Sequence, residues 1–569
     1  MPSQTHIPGK DVALEDSIAS MQKKLEALDF HILEQSWLHP VANIWSVDIR
    51  ERDCPLLFAN GKGASKKAAL ASALGEFFER LSTHYFWADF YLGDEIANSK
   101  FVHYKQEKWF DTNCHGSWPE GVLNDELQDF YNPDGELQAN KLIDANSANS
   151  ERGLCCLPYV CQSTQEPVYF PLNIIDNLYV SNGMSAGNTP EEARVQALSE
   201  IFERFVKFKI IAEGISLPDI PSSVIDRYPD IQAAIKEIEQ AGYPLLVQDA
   251  SLGGKYPVIA VTLLNPVDQG VVASFGAHPQ FEVALTIALT ELLQGRGLDK
   301  LNGFAEAGFD MDEVASPQNL ETHFIDSSGI MSWNFLQNKP DYEFVDWGIH
   351  QNADDSSNTA KEFEDLCDRV HQEGNDIYIA DFQQLGMYSC RILVPGMSEI
   401  YPAEDLVWEN NNVGIEVRNA ILKQNKTAAE CEALIEEIED LNLDDHHSVA
   451  ALLGLPVDED SIFADLRLAE LITLLALKVQ DNERIQEGCE WLLHYKQINP
   501  RRLKVYQCIN TLLQLDGMVN YADSLAKLYG KAVMNDALAL IDGEDIFPLH
   551  SDWKMHDLLI EAYRKVHVD

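Results

Sequence analysis

Positive charge is scarce in this chain. Its 569 residues carry 42 lysines and arginines against 91 aspartates and glutamates, a formal net charge of −49. So acidic a surface repels a phosphate backbone, which argues against nucleic acid as a direct partner and favours a basic protein or a metal–phosphate complex. Long apolar runs are missing too. None approaches the ~18 residues of a membrane helix. The polar opening Met-Pro-Ser-Gln-Thr-His lacks the apolar stretch of a secretion signal. A cytoplasmic protein without a membrane partner is expected. Cysteines number ten, and their one cluster, Cys155, Cys156 and Cys161, lacks the paired C-x-x-C knuckles of a zinc site. Buried free thiols in a reducing compartment are the better expectation. The phosphate loop Gly-x-x-x-x-Gly-Lys-Ser/Thr occurs nowhere, so a nucleotide would be held by other means.

What is present is enough for packed cores. Apolar residues make up 46% of the chain and charged ones 23%, a globular balance in a length beyond one ordinary domain. Leu14, Ile18, Met21, Leu25 and Leu28 recur at helical spacing and predict an opening helix. From there to residue 420 the pattern is mixed, with strand-like runs at Pro257–Leu264 and Val271–Phe275. Residues 421–569 lose the strand signals. Helical patterns follow one another there: Ala428–Leu441, Asp460–Val479, Arg484–Tyr495, Arg501–Leu515 and Ala522–Leu540. The expectation is an α+β domain over 1–420 and an all-α hairpin array over 421–569. That array loosely resembles tetratricopeptide repeats without their 34-residue signature. Such arrays serve contacts with other chains or with a second copy, so a homodimer is expected through the tail.

An internal repeat carries the chemistry. Ala73-Leu74-Gly75-Glu76-Phe77-Phe78-Glu79-Arg80 returns as Ala197-Leu198-Ser199-Glu200-Ile201-Phe202-Glu203-Arg204, and more weakly as Ala288-Leu289-Thr290-Glu291-Leu292-Leu293-Gln294. On a helix turning about 100° per residue, Leu74, Phe77, Phe78 and Leu81 form one stripe, with Glu76 and Glu79 together on the far side. Leu198, Ile201, Phe202 and Phe205 repeat the stripe opposite Glu200 and Glu203, with Glu192 on the same carboxylate face. Glu291 and Gln294 take the matching places in the third copy. One E-x-x-E-R describes a solvated helix face. Three in register predict three related units whose acidic faces converge. Carboxylates gathered at one point repel, and oxygen ligands without histidine or cysteine select magnesium, which usually serves substrate phosphates. Glycine-rich approaches, Asn60–Ser65 and Ser181–Asn188, offer backbone N–H groups to phosphate. Thr189-Pro190-Glu191-Glu192 also reads as a capping box, which would make Glu192 a cap residue.

Gly183-Met184-Ser185-Ala186-Gly187 matches the G-x-S-x-G of serine hydrolases. Helix signals begin only at Thr189-Pro190, no HGGG-type motif precedes it, and a hydrolase leaves the triple repeat unexplained.

Gly9 through Ser17, Gly63 through Arg80, Ser181 through Arg204, and Thr290 through Arg296 together resemble the YcaO family, of the stand-alone kind found in enteric bacteria, over the whole chain. The resemblance implies an ATP- and Mg2+-binding enzyme that activates backbone amides, a carbonyl oxygen being phosphorylated so that it can leave. It implies Glu76, Glu79, Glu192, Glu200, Glu203 and Glu291 as magnesium ligands, and Lys10, Ser17, Ser185, Asn188 and Arg204 as nucleotide contacts. Family members usually carry arginine four residues before the third-helix glutamate. Here that place is Ile287, which cannot contact phosphate, and Arg296 is a candidate substitute or else nucleotide affinity falls. The chain ends without the Pro-x-Pro-x-Pro of azoline-forming members. Enteric relatives assist the radical methylthiotransferase RimO in β-methylthiolation of an aspartate in a small-subunit ribosomal protein, a basic client suited to an acidic surface. A non-catalytic ATP-binding docking protein is the alternative within the family.

Overall fold

The computed structural model describes residues 4–112, 118–149, 151–347, 358–408, 410–516, 520–544, 546–549 and 553–567. Twelve strands among them form three sheets. β1 (Ile32–Val41), β2 (Ile44–Glu51) and β3 (Phe58–Gly63) make an antiparallel sheet in that order. β4 (Lys108–Phe110), β5 (Leu154–Cys161), β6 (Pro167–Pro171) and β7 (Met184–Gly187) join β11 (Tyr378–Phe382) and β12 (Tyr388–Leu393) in a second, ordered β4-β5-β11-β12-β7 with β6 on β5. β8 (Leu245–Asp249), β9 (Val258–Leu264) and β10 (Val271–Ala277) make the third, ordered β10-β9-β8.

The opening helix, α1, spans Leu14–Ala27 and buries Leu14, Met21 and Leu25. Each sheet sends an edge strand into a helix of the repeat: β3 into α2 (Lys66–Ser82), β7 into α3 (Pro190–Glu213), β10 into α4 (Phe281–Leu292). Alanines explain how closely helix and strand approach. Ala69 and Ala73, Ala193 and Ala197, and Ala284 and Ala288 stand seven and three residues before Glu76, Glu200 and Glu291, and all six are fully buried. Opposite them the strand has no room for a side chain. A Cβ on Gly61 would lie 2.0 Å from the Ala69 carbonyl oxygen, and one on Gly276 2.4 Å from that of Ala284. Both glycines precede their glutamate by 15 residues; the second unit has Ser185 at that register and makes its close approach at Gly187 instead.

The strand run around residue 260 is apolar on both faces for a physical reason. Val258 and Ala260 of β9 pack toward α3, while Ile259, Val261 and Leu263 pack toward α4. A strand covered by helices on both sides has no solvent face on which to alternate.

Past residue 414 the chain is helical, with main helices at Ala428–Asp440, Leu468–Val479, Asn482–Tyr495, Pro500–Gln514 and Lys531–Ile541 around one apolar core. Two boundaries differ from the sequence pattern. The helix expected over Asp460–Val479 starts at Leu468, after a short 3-10 turn at Ile462–Ala464. That expected over Ala522–Leu540 breaks between Leu528 and Lys531, where Gly530 takes φ +87°. The last helix, Lys554–Val566, leaves the array. Its Leu559, Ala562 and Tyr563 enter the core beneath α2, and Trp87 Nε1 donates to the Leu559 carbonyl at 3.1 Å. No helix among the described residues is long and apolar enough to cross a membrane.

Candidate nucleotide and magnesium site

The stripe Leu74, Phe77, Phe78 and Leu81 is buried in α2, as is Leu198, Ile201 and Phe202 in α3, which turns the glutamates of both helices away from the packed face. Glu76, Glu79, Glu200, Glu203 and Glu291 then lie close enough to act on one another. Desolvation, then the charges of Glu200 and Glu76, hold the Glu79 carboxyl well above its usual range. Desolvation, then Glu291, does the same to Glu203. Desolvation also raises Glu76 and Glu200, with Arg80 and Arg204 pulling each back.

The five do not behave alike. Glu76 pairs with Arg80 at 2.5 Å and Glu200 with Arg204 at 2.7 Å, each one helical turn on, and Glu291 pairs with Lys62 from the β3 strand of the first unit. Every first glutamate of the repeat therefore has a cation. The second glutamates, Glu79 and Glu203, make no ion pair among the described residues. The motif E-x-x-E-R thus sorts into a held carboxylate and an open one. In the third unit no second glutamate follows: α4 ends at Leu292, and Gln294 lies in the turn beyond, its N–H donating to the Glu291 carbonyl at 3.1 Å. This corrects the expectation that Gln294 continues the helical face.

Glu192 stands apart from the five, eight residues and about 12 Å along α3 from Glu200. Thr189 does cap the helix, accepting from the Glu192 N–H at 3.2 Å. The Glu192 carboxylate does not close a capping box. It accepts from the Asp11 N–H at 3.0 Å and from Asn188 Nδ2 at 3.1 Å, with Lys10 Nζ at 3.5 Å. Ser17 Oγ donates to Asn188 Oδ1 at 2.9 Å. The structure thus gathers Lys10, Ser17, Asn188 and Glu192 at the start of α3, and Arg204 with the five glutamates farther along.

Ser185 lies inside β7, 1% exposed, with its Oγ 3.5 Å from the Ala186 carbonyl oxygen. A hydrolase nucleophile needs an exposed turn and a histidine base, and this serine has neither among the described residues. Arg296 is also engaged elsewhere, donating to the Asp326 carbonyl at 2.8 Å and lying over the Phe304 ring. Two lysines that the sequence did not single out lie nearer the glutamates. Lys62 sits in the glycine-rich approach to α2. Lys207, one turn past Glu203, is buried and donates to the His323 carbonyl at 2.6 Å and to Ser327 Oγ at 2.8 Å. Burial lowers Lys207 to about 8, with Glu203 and Glu291 pulling it back up. A lysine at i+4 from a repeat glutamate was the available signal.

The family description "YcaO cyclodehydratase, ATP- and Mg2+-binding" matches residues 60–398, and "YcaO cyclodehydratase C-terminal domain" matches residues 414–569. The chain belongs to the YcaO family. It is 50% identical to the ribosomal protein S12 methylthiotransferase accessory factor YcaO of Escherichia coli (strain K12), over 99% of this chain and 98% of that protein. It is 48% identical to an uncharacterized protein of Haemophilus influenzae, over 100% and 98%. Among solved structures it is similar to a YcaO from Methanopyrus kandleri bound with AMPPCP and Mg2+, at 18% identity and a TM-score of 0.44, over 70% of this chain and 95% of that one.

YcaO proteins bind ATP with Mg2+, and the residues here fit that pair. The donors are oxygens alone, as magnesium prefers. Glu200 Oε1 is buried with no aligned hydrogen-bond donor although Arg204 stands beside it. No three of the five carboxylates bring oxygens within 4.8 Å of one another. That spacing suits ions keeping several waters better than one tightly caged ion.

Proposed function

We propose that this chain is an ATP- and magnesium-dependent accessory factor for β-methylthiolation of an aspartate in a basic small-subunit ribosomal protein, working beside the radical methylthiotransferase RimO. Full-length identity of 50% to the E. coli accessory factor carries this reading. When bound, ATP with Mg2+ supplies phosphoryl activation of a peptide amide oxygen. The chain's own residues hold and orient it. Glu79 and Glu203 offer unpaired carboxylates to the metal, beside Glu76, Glu200 and Glu291. Lys10 and Glu192 anchor the far end. Arg204 and Lys62 already lie among the carboxylates and are the cations placed to turn toward phosphate, for which arginine's fork is well shaped. Asn188, fixed by Ser17 and Glu192, presents an amide at the start of α3, where helix N–H groups favour anions. The tail, tetratricopeptide-like in its paired helices, serves as the docking and homodimerisation element in a cytoplasmic complex.

Ile287 supports a second reading, a non-catalytic ATP-binding docking protein. It is an apolar side chain one turn before Glu291, where the family's arginine is absent.

Calorimetric titration with ATP tests the site. Binding that needs magnesium and is lost in Glu79→Ala/Glu203→Ala is the expected result. Tight binding indifferent to both refutes the glutamate assignment. Mass spectrometry of the ribosomal client then tests the role: unchanged methylthiolation in a deletion strain sinks it. Phosphate release in the presence of client separates enzyme from docking protein.

A further inference from the structure

A second set of metal-ligand side chains lies away from the glutamates, where three segments distant in sequence meet. His103 comes from the loop before β4, Asp144 from the turn at 142–147, and Cys155 from β5, where it pairs with Trp109 of β4. One donor atom from each lies within 4.8 Å of the other two, and all three residues are buried. Among the described residues this is the one trio of histidine, cysteine or carboxylate donors so close.

The contact between two of them identifies what belongs there. His103 Nε2 stands 3.4 Å from Asp144 Oδ1. That is long for a hydrogen bond, and the nitrogen has no hydrogen-bond partner although His103 is 95% buried. Two ligands on a tetrahedral zinc ion, with arms of about 2.0–2.1 Å, lie about 3.4 Å apart along the tetrahedron's edge. His103 and Asp144 attract as a buried ion pair, yet the imidazole nitrogen has no aligned hydrogen-bond partner and faces the carboxylate oxygen at the spacing that two ligands of one ion would have.

The surroundings hold these side chains in place. Asp144 accepts from the Ser147 N–H at 2.8 Å and from Ser147 Oγ at 2.5 Å. Glu107 accepts from the Val102, His103 and Tyr104 N–H groups at 2.9, 2.7 and 3.2 Å, which fixes the turn that presents the imidazole. Secondary contacts of this kind orient ligands in metal sites.

We propose that His103, Asp144 and Cys155 bind one zinc-type divalent cation, with a fourth position left to water or an exogenous ligand. Binding converts the Cys155 thiol to a thiolate, its proton passing to solvent as the sulfur–metal bond forms. Cys156, adjacent in sequence, lies outside the trio. The site is separate from the magnesium glutamates in residues and in donor chemistry, so the two can be tested apart.

The test is metal analysis of the full-length protein purified from zinc-supplemented medium, followed by titration of the metal-stripped protein with Co2+. About one zinc per chain is expected, three protein ligands plus an open position being a known zinc arrangement, together with a thiolate-to-cobalt charge-transfer band. Glu79→Ala/Glu203→Ala should keep both, which distinguishes this site from the nucleotide site. Cys156→Ser should keep the band and Cys155→Ser lose it. Absence of zinc and of any thiolate–cobalt band in the wild-type protein overturns the proposal, whether or not the cysteine variants fold. A band that survives Cys155→Ser and vanishes in another cysteine variant overturns the ligand assignment.

Discussion

Replacing both open glutamates, Glu79→Gln with Glu203→Gln, should make the metal-free protein more stable. Glu76 and Glu79 are three apart on one helix, with Cβ atoms about 5–6 Å from each other. Like charges about 6 Å apart at an effective dielectric near 20 repel by about 3 kcal/mol. Both side chains are half-buried, and Arg80 returns part of that repulsion. The net relief is about 1 kcal/mol at each of the two sites, about 2 kcal/mol for the double variant. Magnesium with ATP at about 100 times its dissociation constant adds about 2.7 kcal/mol to whatever binds it. The wild type gains that increment and the variant does not. The order of stabilities therefore crosses: variant ahead by about 2 kcal/mol in EDTA, behind by about 1 kcal/mol with Mg2+ and ATP. Urea unfolding of the full chain under the two conditions measures both differences. A variant less stable than wild type in EDTA would mean that Glu79 and Glu203 are structural acceptors. Equal stabilisation of both proteins by Mg2+ and ATP would place the ligand elsewhere. Glu76→Gln is the control, since it strips Arg80 of its partner and gives no comparable gain in EDTA.

Three further outcomes follow from single contacts. Ile287→Arg should tighten ATP binding roughly tenfold, since a hydrogen bond to a charged group is worth about 1.5–3 kcal/mol; calorimetry showing no change would remove Ile287 as the cause of any weakness. In the tail, Arg502 Nε donates to fully buried Glu470 at 2.8 Å and Tyr506 OH donates to the same carboxylate at 2.9 Å. Arg502→Met leaves Glu470 unpaired and should cost about 3–5 kcal/mol of unfolding free energy, whereas the paired change Arg502→Met/Glu470→Leu should recover most of it. His278 is buried with Nδ1 accepting from the Gln280 N–H at 3.0 Å, and burial, then the nearby charge of Lys10, lowers it to about 3. Its folded-state pKa lies below the unfolded value of about 6.5, so its contribution is intact above pH 6.5 and is lost as pH falls toward 3. From pH 6.5 to 5 that loss is about 2 kcal/mol. His278→Gln should flatten the acid limb of the urea stability profile by that amount, and an unchanged limb would refute the assignment.

Much of this was legible because helix geometry is local. The stripe Leu74, Phe77, Phe78 and Leu81 and its copy in α3 follow from the 3.6-residue period, and so does the opposite placing of the glutamates. The opening helix and β9 and β10 were readable from apolar spacing for the same reason. What escaped depends on distant partners. The ion pair of Lys62 with Glu291 spans 229 residues of chain, and no periodicity announces it. Glu192 carried two readings, a magnesium ligand by resemblance and a capping residue from the strong local signals of Thr189 and Pro190; the Asp11 N–H and Lys10, which hold its carboxylate, come from the other end of the domain and were not legible. Ser185 matched a short motif whose meaning rests on an exposed turn, and the chain places it inside a strand. The cysteine cluster gave no zinc signal since Cys156 and Cys161 are irrelevant to the trio. His103 and Asp144 lie 52 and 11 residues upstream of Cys155, a spacing that resembles no knuckle.

The sorting of the glutamates also revises why so acidic a knot persists. Repulsion alone would make the cluster depend on metal. The structure instead supplies Arg80, Arg204 and Lys62 to the first glutamate of each unit, and Lys207 beneath Glu203 and Glu291. Four cations face five carboxylates, so with Lys207 protonated the uptake of one proton, favoured at Glu79 and Glu203, neutralises the resting cluster. Neutrality matters to function. Were every glutamate paired, magnesium would have to break ion pairs to bind. Were none paired, the apo cluster would force its carboxyls to take up protons and lose its ligand character. Leaving open only the second glutamate of α2 and of α3 keeps the fold tolerable without metal and two carboxylates available to it. On the proposed assignment, each Mg2+ held there would turn the site net positive, which is the sign needed to draw a triphosphate into an otherwise strongly anionic protein. The third unit fits this logic. Its helix ends before a second glutamate can be presented, and Glu291 takes its cation from the first unit, so the third repeat is tied to the first across the site by an ion pair as well as by packing.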